Sequence, residues 1–392
     1  MIRRRDTSPL EVNDILGEIL LRLPPHPSSL PRASAVCKRW RGLLTDPGFF
    51  RRFCKHHREP PLLGVFRCDD QTEFTPVLAA PDLIPPVRLH LPNRDLCGRL
   101  LGCRHGRVLI LNQIKTAVLV CDPITGGQHR VPIPPEFKWG YIYGAVLCAA
   151  SDQGHVHGGC HSTPFKVVLL LMHNNHSRPL ASVYSSVTNT WGCLISTKVQ
   201  YPDCFGTCIS TLVGNIIYWS FPNMKEGILG FDFERQILDV LEGPPSMYRS
   251  HNHQIIQADD GAVGLAMLFY DDQNIQMWER KVNCHGVASW VQWKTIELHK
   301  ILGLPPQVVG EKSSSEFIRG HVEDTDKIFL YVKGSIYLVH LKSMQSRKLF
   351  EAPNSIAYYH SFRSFYAPGA RELVSLTGAV DRSSSCCSAW LH

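Results

Sequence analysis

The densest group of side chains that could do chemistry lies in residues 154–161, Gly-His-Val-His-Gly-Gly-Cys-His. His155, His157, His161 and Cys160 stand within seven residues of one another, and imidazole and thiolate are the ligands that zinc prefers in proteins. Structural zinc sites usually combine two separated pairs of ligands, and no Cys-x-x-Cys or His-x-x-x-His pair elsewhere in the sequence supplies a second one. We therefore predict a polar loop between strands, with no metal and no cofactor.

Local catalytic motifs are absent from the sequence. It contains no G-x-S-x-G, no P-loop, no G-x-G-x-x-G and no H-E-x-x-H, the patterns typical of acyl transfer, phosphate binding, dinucleotide binding and zinc hydrolysis. Acidic pairs such as Asp259-Asp260 and Asp271-Asp272 are of a residue type that favours turns. The sequence therefore predicts a protein that binds and does not catalyse.

Fourteen cysteines would allow a disulfide framework, but their placement favours free thiols. Cys37, Cys121, Cys148 and Cys193 each stand alone within apolar runs, where a thiol behaves as a small hydrophobic side chain. The basic start of the chain is not followed by the apolar stretch of a signal peptide. The longest apolar runs, such as Val167–Met172, are too short to span a bilayer. We therefore expect the cytosol or the nucleus, and no membrane contact.

The net charge of +7 belongs almost wholly to the N-terminal segment. Residues 1–60 hold 12 Lys and Arg against 6 Asp and Glu, whereas the remaining residues hold 29 against 28. A local positive excess can attract an acidic partner surface, and it equally fits a solvated helix face beside a basic terminus. Nucleic acid is a weaker interpretation, because no exposed aromatic residues are interleaved with the basic ones, and we predict no nucleic-acid partner.

Three helices are predicted before residue 57, over residues 13–23, over the segment from Ser28 or Ser29 to Leu44, and after Asp46-Pro47. Their apolar residues follow helical spacing: Ile15, Leu16, Ile19, Leu20, Leu23, Leu30, Ala33, Val36, Cys37, Trp40, Leu43, Leu44, Phe49, Phe50 and Phe53. About 40–45 residues make only a marginal core, so the stripes must be buried elsewhere. A partner-binding module and a plain helical cap on the larger domain are both compatible with this pattern.

The run ILGEILLRLPPHPSSLPRASAVCKRWRGLLTDPGFFRRF resembles the F-box, in the version common in large plant F-box families. The strongest match is the block VCKRWR at residues 36–41, followed by LL at 43–44 and DPGF at 46–49. The helix before it, with EIL at 18–20 and LP at 23–24, has the matching spacing. The resemblance covers about one eighth of the chain. It departs at Glu11-Val12, where many F-boxes have Leu-Pro.

The F-box resemblance implies docking onto a small Skp-family adaptor, which in turn binds a cullin scaffold. Carried over by position, it implies ten contacting or supporting residues: Ile15, Leu16, Leu20, Pro24, Leu30, Val36, Cys37, Lys38, Trp40 and Arg41. Several of them must belong to the core of the module, and Trp40 fits either role. Lys38, Arg39 and Arg41 fit an acidic adaptor surface. Because Glu11-Val12 replaces residues that normally help contact the adaptor, we expect residues 30–41 to contribute most.

From about residue 60 the sequence favours short strands separated by Gly, Asn, Asp and Pro. The predicted strands include Arg107–Leu111, Ala117–Cys121, Lys166–Met172, Ile216–Trp219, Ile228–Phe231, Val263–Phe269, Ile275–Trp278, Ile328–Val332 and Ile336–Val339. A pattern of strand, polar turn and strand recurs five times, with strand centres near Val120, Tyr184, Phe231, Met277 and Val339. The steps between centres are 64, 47, 46 and 62 residues.

This period fits a propeller, in which a four-stranded blade needs about 40–50 residues. We predict about six blades, closed by pairing a strand near Phe362–Tyr366 with the first blade. The hairpin at Cys121–Thr125 and Val131-Pro132 resembles the repeats of plant F-box-associated domains, which are similar to kelch propellers. The expected fold is an α+β multidomain chain: a three-helix F-box over 8–56, an all-β propeller over 60–380 and a Ser/Cys tail over 381–392. A pair of β-sandwiches is the alternative architecture.

Together the resemblances imply a non-catalytic substrate-recognition subunit of an SCF-type cullin-RING ubiquitin ligase. Such a subunit links a Skp-family adaptor, and through it a cullin scaffold, to an unknown protein substrate that is ubiquitinated and degraded. Two alternatives remain open. The helices could cap a propeller that is an enzyme or a small-ligand sensor, which predicts polar side chains converging in a central channel. The F-box could also serve a scaffold that works outside a ligase.

Overall fold

A computed structural model describes residues 13–68, 72–91, 98–112, 114, 116–150, 155–161, 163–173, 178–197, 208–221, 227–250, 252–269, 273–303, 316–353 and 357–366. In it, a helical module (residues 13–57) precedes six antiparallel β-sheets. The α+β multidomain prediction is therefore confirmed. Glu11-Val12 and the predicted tail lie outside the described residues.

The helical module contains four helices where three were predicted. They are α1 (Asn13–Leu21), α2 (Ser29–Ser34), α3 (Lys38–Leu44) and α4 (Pro47–His57). The predicted second helix is broken before Lys38 because Cys37 is extended, with φ −162° and ψ 167°. The break lets α2 and α3 turn separately, so that Leu30 and Leu44 enter the same core. Asp46 ends the pattern as expected and caps α4, its Oδ2 accepting from the Phe49 N–H at 2.8 Å.

Five of the sheets are built from consecutive strands, as expected for propeller blades. Blade 1 contains β3–β6 and blade 2 β7–β11, blade 3 contains β12–β15, blade 4 β16–β19 and blade 5 β20–β23. The strands of blades 1 and 2 are β3 (Arg99–Arg104), β4 (Arg107–Leu111), β5 (Ala117–Cys121), β6 (Gln128–Pro132), β7 (Tyr141–Cys148), β8 (Phe165–Met172), β9 (Leu180–Ser185), β10 (Thr190–Trp191) and β11 (Ile195–Ser196). Those of blades 3 and 4 are β12 (Ser210–Val213), β13 (Ile216–Trp219), β14 (Gly227–Asp232), β15 (Ile237–Glu242), β16 (Asn252–Gln257), β17 (Val263–Phe269), β18 (Asn274–Val282) and β19 (Ala288–Glu297). Those of blade 5 are β20 (Phe317–His321), β21 (Lys327–Val332), β22 (Ser335–His340) and β23 (Gln345–Glu351).

The sixth blade joins the two ends of the domain. Its strands are β1 (Leu62–Cys68), β2 (Glu73–Pro76) and β24 (Tyr358–Arg363), in the order β2-β1-β24. Strand β24 pairs antiparallel with β1, with Phe66 opposite His360 and Val65 opposite Ser361. The predicted closure is confirmed, although β24 begins at Tyr358 and ends at Arg363 where a strand near Phe362–Tyr366 was predicted. The six blades and all nine predicted strands are confirmed as well. The β-sandwich alternative is wrong, because each sheet packs against two neighbours in a ring.

Apolar clusters between neighbouring blades hold the ring together. Each of the six interfaces between blades contains one cluster of buried side chains within the described residues. Strand β8 illustrates why its sequence is continuously apolar: Val167, Leu169 and Leu171 face blade 1, whereas Val168 and Leu170 face blade 3. A strand buried on both faces cannot alternate apolar with polar residues.

The five recurring hairpins in the sequence are the outer strand pairs of blades 1 to 5. Four of them turn with a left-handed residue at the same place, and these residues are Gly126, Asn189, Gln236 and Met344. Asp122 and Asp232 open two of these turns, and each Oδ1 accepts two backbone N–H groups. This shared turn explains why the pattern repeats although the side chains differ.

Helix α5 (Leu298–Leu302) is a short helix that follows β19. None of the helices in the described part of the chain has the length and apolar character needed to cross a membrane.

Candidate functional site

An exposed apolar surface lies on the outside of the helical module. Val36, in the turn between α2 and α3, is 62% exposed, and Ile15 and Ile19 on α1 are 44% and 40% exposed. Arg39 Nε donates to Asn13 Oδ1 at 2.9 Å, which ties the start of α3 to the start of α1. We call Ile15, Ile19 and Val36 the docking face. Large apolar side chains left in water on a small module indicate a partner surface.

Basic side chains border the docking face. Lys38 and Arg39 are exposed, and Cys37 beside them is exposed as well. Arg41 is half-buried, and its Nε donates to the Ser34 carbonyl oxygen at 3.4 Å, which closes the end of α2. The local charge is therefore positive.

The structure divides the predicted adaptor residues into buried and exposed ones. Leu16, Leu20 and Leu30 are at most 2% exposed and form the core with Phe49 and Phe53, which is the supporting position that the prediction allowed for several of its residues. Trp40 is half-buried and packs against the same core, which makes it mainly a support. Ile15, Pro24, Val36, Cys37 and Lys38 are exposed.

Sequence reasoning omitted Ile19 from the site, although the apolar stripe of α1 contains it. The stripe has two edges: Leu16 and Leu20 form one, and Ile15 and Ile19, four residues apart, form the other. The apolar stripe of α1 is too wide to be buried completely in the core of the module. This width was the signal that could have separated the residues that contact a partner from those that support the surface from beneath.

The helical module is seated on one loop of the propeller, the joint loop (residues 155–161) between β7 and β8. A Cβ added to Gly159 would lie 3.0 Å from Cys54 Sγ on α4, and Val156 packs against the helical core. Phe365, which follows β24, is fully buried in that core, with its ring 6.2 Å from the Phe53 ring.

Hydrogen bonds hold the joint loop to the end of the closing blade. The Phe365 N–H and the Ser364 hydroxyl both donate to the Gly158 carbonyl oxygen at 2.9 Å. Gly158 has φ +92°, and an added Cβ would lie 2.6 Å from Pro60, so only glycine fits there. On the other side of the module, the Ser28 N–H donates to Asp82 Oδ1 at 3.1 Å. The docking face is thus fixed relative to the blades.

The His/Cys cluster found in the sequence lies in this joint loop. His155 Nε2 lies 3.3 Å from Cys148 Sγ and 3.2 Å from Cys160 Sγ, and His157 Nδ1 lies 3.7 Å from Cys160 Sγ. His161 points elsewhere, with Nδ1 2.7 Å from Asp122 Oδ2, and this contact lowers the pKa of Asp122 against the effect of its burial. Cys148, the last residue of β7, was interpreted from the sequence as a lone thiol in an apolar run and not as a member of this cluster.

The central channel is lined by the polar ends of inner strands. Glu323 lies 3.5 Å from the Arg104 guanidinium and 3.3 Å from His105 Nε2, and all three are buried. Burial raises the pKa of Glu323 to about 7. The polar convergence that a propeller enzyme or sensor predicts is therefore present, but the cavity that Arg104, Glu323 and His360 line is only about 10 Å³, room for one water at most.

Buried imidazoles in the propeller predict acid sensitivity. Burial lowers the pKa of His321 to about 3 and those of His253 and His360 to about 4. An unfolded chain takes up protons near the usual histidine pKa of about 6.5, so below that pH each imidazole costs up to about 1.4 kcal/mol of stability per pH unit. The raised pKa of Glu323 has the opposite effect, since it increases the stability of the folded chain as the pH falls from about 7 to the ordinary pKa of a glutamate. This single carboxyl group offsets only part of the loss of stability caused by the three histidines.

We therefore expect the melting temperature to fall between pH 7 and pH 5. Differential scanning fluorimetry would measure it, and the slope should be shallower in His321→Gln than in the exposed-site control His285→Gln. A melting temperature that is constant or higher at pH 5 would contradict this.

A helical module with an exposed apolar edge, seated on a closed six-bladed propeller, defines the class: an F-box protein with a β-propeller. An F-box-like family model matches residues 13–56. The family described as F-box protein AT5G49610-like, beta-propeller, matches residues 99–366, more than half of the chain. The chain belongs to this family.

Two Arabidopsis thaliana proteins are similar in sequence. One, named as an F-box protein, At3g19560, is 26% identical over 225 residues, which is 56% of this chain and 57% of that protein. The other, named as an F-box/kelch-repeat protein, At3g17540, is 23% identical over 380 residues, 89% of this chain and 91% of that protein. The first match thus spans little more than half of the relative.

Among solved structures, the oligogalacturonate lyase of Vibrio parahaemolyticus is similar with a TM-score of 0.35 at 9% identity, over 63% of this chain and 62% of that chain. A similarity this low carries no functional argument.

Proposed function

We propose that the chain is the substrate-recognition subunit of an SCF-type cullin-RING ubiquitin ligase. The observation that carries this proposal is the docking face, since Ile15, Ile19 and Val36 are exposed on a module whose family is the F-box. In the proposal a Skp-family adaptor covers these side chains, and the adaptor binds a cullin scaffold. The F-box domain extends over 8–56 and the recognition domain over 60–380 in this proposal.

The charge around the docking face supports an acidic adaptor surface. Lys38 and Arg39 are exposed beside Val36, where they can steer an acidic partner and set its orientation. Because exposed charges are screened by salt, raising the ionic strength should slow association more than it speeds dissociation.

The substrate is proposed to bind the propeller face opposite the helices. Because consecutive strands are antiparallel, the joint loop and the outer-hairpin turns lie at one end of the blades, and the connections between blades lie at the other. Trp139 and Tyr248 stand in such connections and are 80% and 62% exposed. Exposed aromatic side chains are the commonest anchors of protein interfaces. Helices on one face and aromatic loops on the other would hold a substrate apart from the adaptor.

The proposed contribution to ubiquitin transfer is proximity, without bond chemistry by this chain. Holding a substrate lysine near the charged ubiquitin carrier raises its effective concentration. The proposed place of action is the cytosol or the nucleus. The scaffold alternative differs in one outcome, since it gives adaptor binding without substrate ubiquitination in a reconstituted ligase.

Substrate trapping tests the two-faced arrangement. We expect a chain with Ile19→Asp and Val36→Asp, expressed in plant cells, to lose the adaptor and to retain a substrate that is no longer degraded. A second chain with Trp139→Ala and Tyr248→Ala should retain the adaptor and lose the same substrate. Affinity purification followed by quantitative mass spectrometry measures both. Loss of adaptor and substrate together in both chains would contradict the proposal.

The small-ligand alternative is favoured by one observation, an open cleft of about 510 Å³ between the helical module and the propeller. Lys55, Arg58 and Arg363 line it with Glu59 and Glu323, and its volume is that of ordinary ligand pockets. A metabolite that raises the melting temperature of the wild-type chain but not of an Arg58→Glu chain would support this alternative.

A further inference from the structure

We propose that Cys148, His155, His157 and Cys160 form a structural zinc site that holds the joint loop in place. Their four ligand atoms all lie within 4.8 Å of one another. The site does not depend on the function proposed above. It concerns how the two domains are fixed to each other.

The distances fit tetrahedral coordination. Zinc–sulfur bonds of about 2.3 Å and zinc–nitrogen bonds of about 2.0–2.1 Å place tetrahedral S and N ligands about 3.6 Å apart. The sulfur–nitrogen distances that join His155 to Cys148 and Cys160, and His157 to Cys160, are 3.3, 3.2 and 3.7 Å. These three distances, and the 4.8 Å limit on the remaining pairs, are compatible with one ion bound by all four ligand atoms.

The donor set selects zinc and a structural role. Two cysteines and two histidines form a closed set of four, whereas catalytic zinc sites keep one position open for water. Thiolate and imidazole ligands also disfavour magnesium and calcium, which prefer oxygen.

The surroundings of the ligands resemble the supporting contacts of metal sites. Thr163 Oγ1 lies 3.2 Å from Cys148 Sγ, and the ring of His105 stacks on that of His157 at 3.6 Å. His105 Nδ1 accepts the Cys148 N–H at 3.0 Å, and an Arg107 guanidinium N–H donates to the Thr163 carbonyl oxygen at 2.6 Å. Such contacts orient ligands and stabilise the negative charge of thiolates.

The ligands come from two different elements, a strand and a loop, and for this reason the sequence pattern did not indicate the complete site. Cys148 ends strand β7, and the other three ligands lie in the joint loop that follows. His161 is excluded because its Nδ1 contacts Asp122. The ligand that the sequence pattern in residues 155–161 lacked is therefore Cys148, a single cysteine at the end of an apolar strand.

The position of the site gives it a role. Gly158 and Gly159 lie between the ligands His157 and Cys160. A Cβ added at Gly158 would meet Pro60 and Phe365, and one added at Gly159 would meet Cys54, so the bound ion would fix the loop on which α4 rests. Binding of a structural metal contributes directly to folding, and here it would stiffen the connection between the docking face and the blades.

Metal analysis of the full chain tests the site. The chain should be purified without a polyhistidine tag from zinc-supplemented cells, and we expect about one zinc per chain by plasma mass spectrometry. The Cys148→Ser/Cys160→Ser chain should contain at least tenfold less. The control Cys193→Ser/Cys284→Ser, which changes two exposed thiols, should retain the full content.

A second measurement applies if the variant fails to fold. Wild-type chain stripped with a chelator should bind cobalt with the intense visible absorption of a tetrahedral thiolate site, and zinc should displace it and raise the melting temperature. Zinc below about one-tenth per chain with no cobalt spectrum, or equal zinc in a folded Cys148→Ser/Cys160→Ser chain, would overturn the proposal. A Cys148–Cys160 disulfide that persists in chain purified in the presence of a reductant would also overturn it.

Discussion

Replacing Ile19 and Val36 by aspartate is expected to weaken adaptor binding at least about 30-fold. Both side chains are exposed, so the free chain tolerates the change, whereas in the complex each carboxylate would be buried against an apolar partner surface. Central apolar anchors contribute about 2 kcal/mol or more each. Because 1.4 kcal/mol is a factor of ten in affinity, the loss of one anchor alone already gives about 30-fold. Calorimetric titration of the full chain with a purified Skp-family adaptor measures the effect.

Val282→Asp is the matched control for this pair. Val282 is 67% exposed on β18, close to the 62% of Val36, but it belongs to the propeller. The Val282→Asp substitution should leave the affinity for the adaptor unchanged. A similar loss of affinity in both variants would show that the docking face is not the adaptor-binding surface. Trp40→Ala is a poorer test than the aspartate pair, because Trp40 packs against the helical core and its truncation would confuse binding with folding.

Truncating Phe365 to alanine is expected to loosen the helical module selectively. Phe365 is fully buried among Leu16, Leu20 and Phe53, although it follows the propeller strand β24. Deleting a buried phenyl ring costs about 3–5 kcal/mol, and a module of this size has little stability of its own. Hydrogen–deuterium exchange should become faster in α1 and α4 and remain unchanged in the blades.

Phe221→Ala is the counterpart of the Phe365 change. Phe221 is equally buried, but it lies between blades 2 and 3, so faster exchange should appear there and not in α1 or α4. If Phe365→Ala loosens the blades and the helices equally, the two domains unfold as one unit and the joint described above is not a separable contact.

Much of the propeller was predictable because its signals are local. The turn that begins at Asp122 or Asp232 fixes an outer hairpin through contacts within five residues, and strands such as Val263–Phe269 are apolar on both faces. The closure of the propeller was predictable because a ring of blades leaves no open sheet edge only if strands from its two ends pair with each other. Strand β24 pairs with β1 in this way.

The docking site was less predictable because it depends on which side of each helix is covered. Leu16 and Ile15 are adjacent apolar residues on α1, and only the packing of α4 and Phe365 decides that the first is buried and the second exposed. No proline or glycine marks the break at Cys37, which follows from the need of α2 and α3 to share one core. Cys148 was not assigned to the His/Cys cluster from the sequence, because His155 and Cys160 come close to it only when the loop after β7 folds back.

Titration of the unmodified full chain with a purified plant Skp-family adaptor tests the central claim most directly. We predict a one-to-one complex with a dissociation constant below about 1 µM, a free energy of about −8 kcal/mol, and protection from hydrogen exchange confined to residues 13–44. No binding at 100 µM adaptor, or protection that falls on the blades and leaves α1 and α3 unchanged, would contradict the account.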